Sequence, residues 1–459
     1  MGVVAILGLP NLSPPFCEIF LSETDCKDRA NFECRKFVRY FVRGKGALMK
    51  QFEVPPAYRS QLISRIKQQR RVADRMKKDF SPTRFTIGRM TVLLARHFGF
   101  CYGVENAIEI SFKAVEAHPD KRIFLLSEMI HNPLVNADLA RRGVRFIMDT
   151  HGHQLIPWEE LRPEDIVIIP AFGTTLEIAD QLHRMGISPI AYNTTCPFVE
   201  RVWNKASQIG QKGYTIVIHG KPQHEETRAS FSHSASLAPT VIVRDMHQAR
   251  QLAEFITHQR PAAEFFDIFH GQYSRNFNPE TDLQRIGVVN QTTMLASETQ
   301  AIADYLKQVM ASYYQLSEEN IDTHFADTRD TLCYATNDNQ TAVIRMLDEA
   351  ADFAIVVGGY NSSNTSHLVE LCAEKLPTYF ICGPEEIQDN GDIQHWDIWQ
   401  KQKIRSSRVI PDEGAFTLML TSGASCPDAL VEAVIHRLVQ VANIPETTWE
   451  SFLHQTVFT

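Results

Sequence analysis

Phe98-Gly99-Phe100-Cys101-Tyr102-Gly103-Val104 decides how the chain is read, because two later stretches repeat its grammar. They are Asn193-Thr194-Thr195-Cys196-Pro197-Phe198-Val199 and Thr331-Leu332-Cys333-Tyr334-Ala335-Thr336. Each sets one Cys after an apolar, strand-like run and before a segment of helical spacing, at 104–117, 199–208 and 340–350. A β-rich run follows each (123–126, 214–218, 353–357) and ends in a polar loop. From Cys101 to His131, Cys196 to His224 and Cys333 to Ser362 the spacing is 30, 28 and 29 residues. A third run closes each copy: 166–169 enters the loop 170–175, 286–289 enters 290–293, and 416–420 enters 421–425.

Self-similarity of this length decides the architecture. The chain reads as α/β, three pseudo-equivalent units each giving a Cys and two polar loops to a shared centre. The expected division is a partly helical extension over 1–90, then one unit over 103–196. A second covers 197–330 with an insertion at about 255–285. The third covers 331–459, and 91–102 returns to it, with Thr91 to Ala95 as a buried strand leading to Cys101. Loops at the carboxyl ends of strands are where open α/β sheets bind ligands.

Composition narrows the classes. The 459 residues are 44% hydrophobic, enough for sizeable cores. A net charge of −8 lacks the basic footprint of a general nucleic-acid binder. No apolar run reaches the roughly 18 residues of a membrane span. The start lacks a signal-peptide pattern, and acids among Cys17, Cys26 and Cys34 are wrong for a plastid transit peptide. Met49 opens a fresh segment and is a candidate start, the upstream part then being a misassigned extension. Nine cysteines without a CxxC pair fit a reducing compartment, the cytoplasm or, in a eukaryote, the plastid stroma. Residues 57–78 suit a basic amphipathic helix with Leu62, Ile66 and Ala73 inward, either packed on the body or open to an acidic partner. The last residues, from Trp449, read as a short docked amphipathic tail.

Three converging thiolates, Cys101, Cys196 and Cys333, suit an iron–sulfur cluster or zinc, with one position left open for chemistry. On spacing alone both remain. Cys372 and Cys382 read as core. His131, His224, Ser362, Ser363, Asn364 and Ser425 are donors suited to an anionic oxygen group such as a diphosphate. His219 and Lys221 read as solvated loop residues. Glu225 and Glu226 are general-acid candidates, or helix N-terminal acids. Asn290-Gln291-Thr292-Thr293 reads as a helix cap or part of the site. No Walker A or G-x-G-x-x-G pattern follows a strand, so nucleotide binding is not indicated.

These pieces resemble the 4-hydroxy-3-methylbut-2-enyl diphosphate reductase family, in its plant and cyanobacterial branch, over about residues 90–440. They are F-G-F-C-Y-G-V at 98–104, H-N-P at 131–133, T-C-P at 195–197 and H-G-K-P-Q-H-E-E-T at 219–227. N-Q-T-T at 290–293, C-Y-A-T-N at 333–337, N-S-S-N at 361–364 and S-G-A-S at 422–425 complete the set. The resemblance implies a trefoil of three α/β units around one [4Fe–4S] cluster on Cys101, Cys196 and Cys333, its fourth iron open to substrate. It implies His131, His224, Ser362, Asn364 and Ser425 on the diphosphate, with Ser363 close by, and Glu226 as proton donor relayed through Thr292. The implied reaction is reductive loss of an allylic hydroxyl to isopentenyl and dimethylallyl diphosphates. A reduced ferredoxin or flavodoxin would be the donor, with no nucleic acid or membrane partner. Phe172 stands where many bacterial members have His, Cys426 where a smaller residue is usual, and gap placement leaves Glu225 and Glu226 interchangeable. Two other readings stay open: a zinc-dependent hydrolase, and a non-catalytic iron–sulfur sensor using the basic segment 57–78.

Overall fold

The computed structural model describes residues 52–188, 190–326 and 331–454. Cys17, Cys26, Cys34 and Met49 lie outside them. The first two strands, β1 (Thr83–Ile87) and β2 (Met90–Leu94), pair antiparallel across a turn that uses Gly88 at φ +57°. That backbone region favours glycine.

The first sheet is parallel, with β3 (Ile123–Leu125) between β4 (Arg145–Phe146) and β5 (Ile166–Ile168). The second is also parallel, with β6 (Thr215–His219) between β7 (Thr240–Val243) and β8 (Ile286–Asn290). The third holds β9 (Phe353–Val357) and β10 (Thr378–Ile381), beside a separate hairpin of β11 (Ile393–Asp397) and β12 (Gln402–Ser406). Its last strand is β13 (Phe416–Ser422), and the order is β1-β2-β13-β9-β10. Only β1 is antiparallel to its neighbour. β6, β8 and β9 are buried at every residue, as parallel strands covered on both faces must be. This is a three-lobed α/β trefoil, and β2 belongs to the lobe made by the end of the chain.

The helices after the three cysteines are Tyr102–Ala117, Pro197–Gly210 and Tyr334–Met346. The third begins six residues before the expected 340 and ends before 350. The Cys333 thiol accepts the Thr336 N–H at 3.3 Å and so starts the helix over a polar turn that has no apolar spacing.

Residues 52–90 belong to the body rather than to an outlying extension. Phe52, Val54 and Tyr58 pack into the core of the first lobe. The helix Gln61–Ala73 is capped by Ser60, whose hydroxyl accepts the Ile63 N–H at 2.8 Å. It buries Leu62, Ile63 and Ile66 in the core of the third lobe, worth roughly 1.5–3 kcal/mol each. Ala73, expected inward, is exposed, because the buried stripe ends at Ile66, about two turns earlier. Several of its bases are used internally: Lys67 pairs with Asp428 at 2.7 Å and Arg70 with Asp79 at 2.9 Å. The insertion at 255–285 is packed too. Phe265 stacks on Phe277 at 4.9 Å, and the Gln272 carbonyl accepts the Ile242 N–H at 2.7 Å. The last described helix, Glu446–Leu453, docks through Trp449 and Phe452.

Candidate functional site

Each of the three cysteines occupies the cap position of its helix, in extended conformation. Each backbone N–H donates to a carbonyl in a closing loop: Cys101 to Ala424 at 3.1 Å, Cys196 to Ala171 at 2.9 Å, Cys333 to Thr292 at 3.2 Å. The threefold repeat is thus also a repeat of hydrogen bonds. A helix N-terminus favours negative charge, so each sulfur sits where a thiolate is stabilised.

The three thiols, His131, His224, Glu226, Thr292, Ser362, Ser363, Asn364 and Ser425 all line one pocket, together with Phe172, Gly103 and Thr336. Its space is about 650 Å³, part of it continuous with solvent. Every residue expected at the site is therefore brought there. Cys426 is not: it is wholly buried in the apolar core of the third lobe, as Cys372 is on the sheet's other side. Cys382 is only part-buried, beside Tyr360 and Glu386.

Burial pushes all three thiols up to about 12, and they then oppose one another: Cys196 raises Cys101, Cys333 raises Cys196, and Cys101 raises Cys333. Three thiolates cannot coexist here unless a positive group compensates them, which is what a multi-iron cluster does. Among the described residues no three His, Cys, Asp or Glu side chains are set to hold a single metal ion. The cradle is also tight: a Cβ on Gly103 would lie 2.5 Å from the Cys196 sulfur.

The two glutamates face different ways. Glu225 bonds the Ser127 hydroxyl and the His131 Nε2, the latter at 2.8 Å. Glu226 accepts the Thr292 N–H at 2.5 Å and the Thr292 hydroxyl at 2.9 Å. Burial lifts the Glu226 carboxyl from 4.5 to about 7, against the lowering effect of those two bonds. Adjacent helical residues point about 100° apart, which separates a pocket acid from one that orients a histidine. Thr292 caps nothing, since Leu295 is the cap residue of the helix Ala296–Tyr313.

His224 caps the helix Glu225–Ala235, its Nδ1 accepting the Glu226 N–H at 3.1 Å. That leaves Nε2–H as donor. Burial, then His131, holds its pKa well below the ordinary value, so it is neutral. The Phe172 ring packs on His131 at 4.3 Å and edge-on to His224 at 5.6 Å, fixing both imidazoles. Ser425 donates to the His131 carbonyl at 3.0 Å. Ser362 caps the helix Ser363–Ala373 by accepting the Thr365 N–H at 3.3 Å. The buried Ser363 hydroxyl and Asn364 Nδ2 have no protein partner. Two free donors at a helix N-terminus make an anion site.

His219, expected in solvent, is wholly buried with Nδ1 2.9 Å from the Thr299 hydroxyl. It ends β6, and the sheet encloses it. Lys221 is part-buried, and burial lowers its pKa. Sequence reasoning missed Gly103, Thr336 and the three carbonyls. Only Gly103 left a signal, a small residue two places after a repeat cysteine.

Comparison with known proteins agrees with this geometry. A family model described as LytB protein matches residues 92–439. A protein of Prochlorococcus marinus (strain MIT 9313) named 4-hydroxy-3-methylbut-2-enyl diphosphate reductase is 39% identical over 357 residues, 78% of this chain and 87% of its own. One of the same name from Gloeobacter violaceus (strain ATCC 29082 / PCC 7421) is 35% identical over 363 residues, 78% of this chain and 85% of its own. The solved structure of the E-1-hydroxy-2-methyl-but-2-enyl-4-diphosphate reductase from Plasmodium falciparum shares the fold. It superposes with a TM-score of 0.54 at 19% identity, over 79% of this chain and 97% of that one.

Proposed function

The chain belongs to the LytB protein family, and on that footing we propose that it is a 4-hydroxy-3-methylbut-2-enyl diphosphate reductase. It takes its substrate to isopentenyl and dimethylallyl diphosphates with two electrons and two protons, releasing water. The observation that carries the reading is the pocket itself, where three helix-capping thiols face an anion site and a carboxyl whose pKa burial raises to about 7. Cys101, Cys196 and Cys333 hold a [4Fe–4S] cluster. When bound, it supplies single electrons and a Lewis-acid iron for the hydroxyl oxygen.

The chain's own residues do the rest. The helix end at Ser363, with Ser362, Ser363, Asn364 and Ser425, takes the diphosphate, helped by the Nε2–H of neutral His224 and by His131. Fixing that end supplies much of the rate by positioning. Glu226, whose raised pKa of about 7 leaves a substantial acid fraction near neutrality, delivers a proton at the departing hydroxyl, and the Thr292 hydroxyl at 2.9 Å holds its carboxyl in place. Glu225 orients His131 and gives no proton. A reduced ferredoxin or flavodoxin supplies the electrons. The six described cysteines are free thiols, which suits the cytoplasm or another reducing compartment. No described helix is long and apolar enough to cross a membrane.

Anaerobic purification tests the reading. Brown protein with roughly four irons per chain, the content of the cluster, should convert the allylic diphosphate when given dithionite and methyl viologen. Iron-loaded protein that leaves the substrate intact refutes the assignment.

A further inference from the structure

One motif is left over by the reaction. Each repeat cysteine is followed within two residues by an aromatic side chain: Tyr102, Phe198 and Tyr334. None of the three is among the residues lining the pocket. They meet instead beside it. The Tyr334 hydroxyl accepts the Tyr102 N–H at 3.1 Å, and its ring lies 5.2 Å from that of Phe198. One side chain of the third lobe thus touches the corresponding residue of both others. Tyr334 is also close enough to all three thiols for each to act on its hydroxyl.

The group stays open to solvent, with Tyr102 40% and Tyr334 39% exposed. A single exposed aromatic needs no explanation. Two touching rings, Phe198 and Tyr334, with Tyr102 bonded to one of them through its backbone, beside three thiols do, because aromatic side chains are rigid, adhesive and enriched at protein contacts. Positive charge flanks them. Phe52 packs edge-on to Tyr102 at 4.8 Å, and exposed Arg59 donates to the Phe52 carbonyl at 3.0 Å. Lys67 donates at 3.0 Å to the carbonyl of Phe98, three residues before Cys101. The helix Gln61–Ala73 that carries Lys67 contains four bases and no acid, although Asp428 offsets Lys67 at 2.7 Å and Asp79 offsets Arg70 at 2.9 Å.

Resting on the reductase reading, one further point follows from electron traffic. Substrate fills the pocket during turnover, and electron tunnelling fades steeply with distance, so the donor needs another close approach to the thiols. We propose that Tyr102, Phe198 and Tyr334 are the electron-entry face, an aromatic surface on which an acidic one-electron carrier protein docks. Each docking passes one electron inward and releases the carrier oxidised by one. Two dockings and two protons meet the demand of the reaction. No bond on the aromatic residues forms or breaks.

The test uses the full chain with its cluster, purified without oxygen, and follows cluster reduction by visible absorbance. No substrate is present, so failure here is distinct from failure of the reductase reading. The reductants are a reduced plant-type ferredoxin, which is acidic, and methyl viologen. Tyr334→Ala and Phe198→Ala should each raise the ferredoxin concentration for half-maximal rate by roughly 30-fold, the effect of truncating a central aromatic anchor. The viologen rate should change far less. Tyr334→Phe, which keeps the ring, should fall between, and the same half-maximal concentration for the parent should rise with salt. Tyr313→Ala, at an exposed tyrosine on another helix, should match the parent. Equal slowing with both reductants would reduce the rings to a structural role and overturn the proposal. So would parental ferredoxin kinetics in both alanine variants, or variants that hold no cluster while Tyr334→Phe behaves as the parent.

Discussion

Glu226→Gln should remove one transferable proton and little else. The carboxyl is 1% exposed, and burial lifts its pKa from 4.5 to about 7, with the Thr292 amide and hydroxyl pulling it down. Gln can keep both bonds, its oxygen accepting the Thr292 N–H while its amide donates to the hydroxyl. Turnover should therefore fall by about 10²–10⁴, the usual worth of a general acid, with the cluster spectrum unchanged. Parental turnover should decline as pH rises through about 7, where the acid form is lost, and the variant should lack that limb. Stability has its own sign. The folded pKa lies above the unfolded one, so this contribution is whole below pH 4.5 and lost as pH rises through about 7. At about 1.4 kcal/mol per unit the loss is on the order of 3 kcal/mol. The variant should accordingly melt higher than the parent at pH 8, and nearly level with it at pH 4.5. Glu225→Gln, acting only through His131, should raise KM more than it lowers kcat. The assay is anaerobic product formation over a pH series, with thermal melts alongside. Glu226→Gln turnover above about a tenth of parental, outside the range for a lost general acid, refutes the argument, as does a larger kcat loss in Glu225→Gln.

Thr292→Val removes the hydroxyl bond that lowers the Glu226 pKa, so the falling limb of the pH profile should move to higher pH. An unmoved limb would show that another group sets it. Gly103→Ala brings a Cβ to 2.5 Å from the Cys196 sulfur, so iron content after anaerobic purification should collapse while the fold survives by circular dichroism. Cys372→Ser, inside a core away from the pocket, should keep its iron.

Much of this was legible because repetition marks position. A lone buried cysteine says nothing, but Cys101, Cys196 and Cys333 recur at matching places, and the structure brings them to one pocket. Strands showed well, since runs such as 353–357 are buried on both faces and stay apolar throughout. The helix after Cys333 was read short because its first turn is polar and its start depends on a sulfur accepting an N–H. Glu225 and Glu226 could not be told apart in one dimension; the helix start at Glu225 separates them by rotation. The bonds to Ala424, Ala171 and Thr292 run between backbone atoms, which no side chain announces. The place of residues 61–73 needed the third dimension, because their apolar stripe fits any receptive face.

β2 pairs with β13, Met90 opposite Phe416 and Leu94 opposite Leu420. The strand that leads into the first cysteine therefore waits for a partner made some three hundred residues later, and the Cys101 N–H waits for the Ala424 carbonyl. The first and second sheets can close as the ribosome proceeds, because their strands are neighbours in sequence. The third sheet, and with it Cys101, can be seated only near the end of translation. Until then β2, paired only with β1, keeps its other edge open, the kind of surface that chaperones cover. Order of synthesis and order of assembly are opposed in this molecule, and a chain that stops before Phe416 has a three-cysteine pocket missing its first corner.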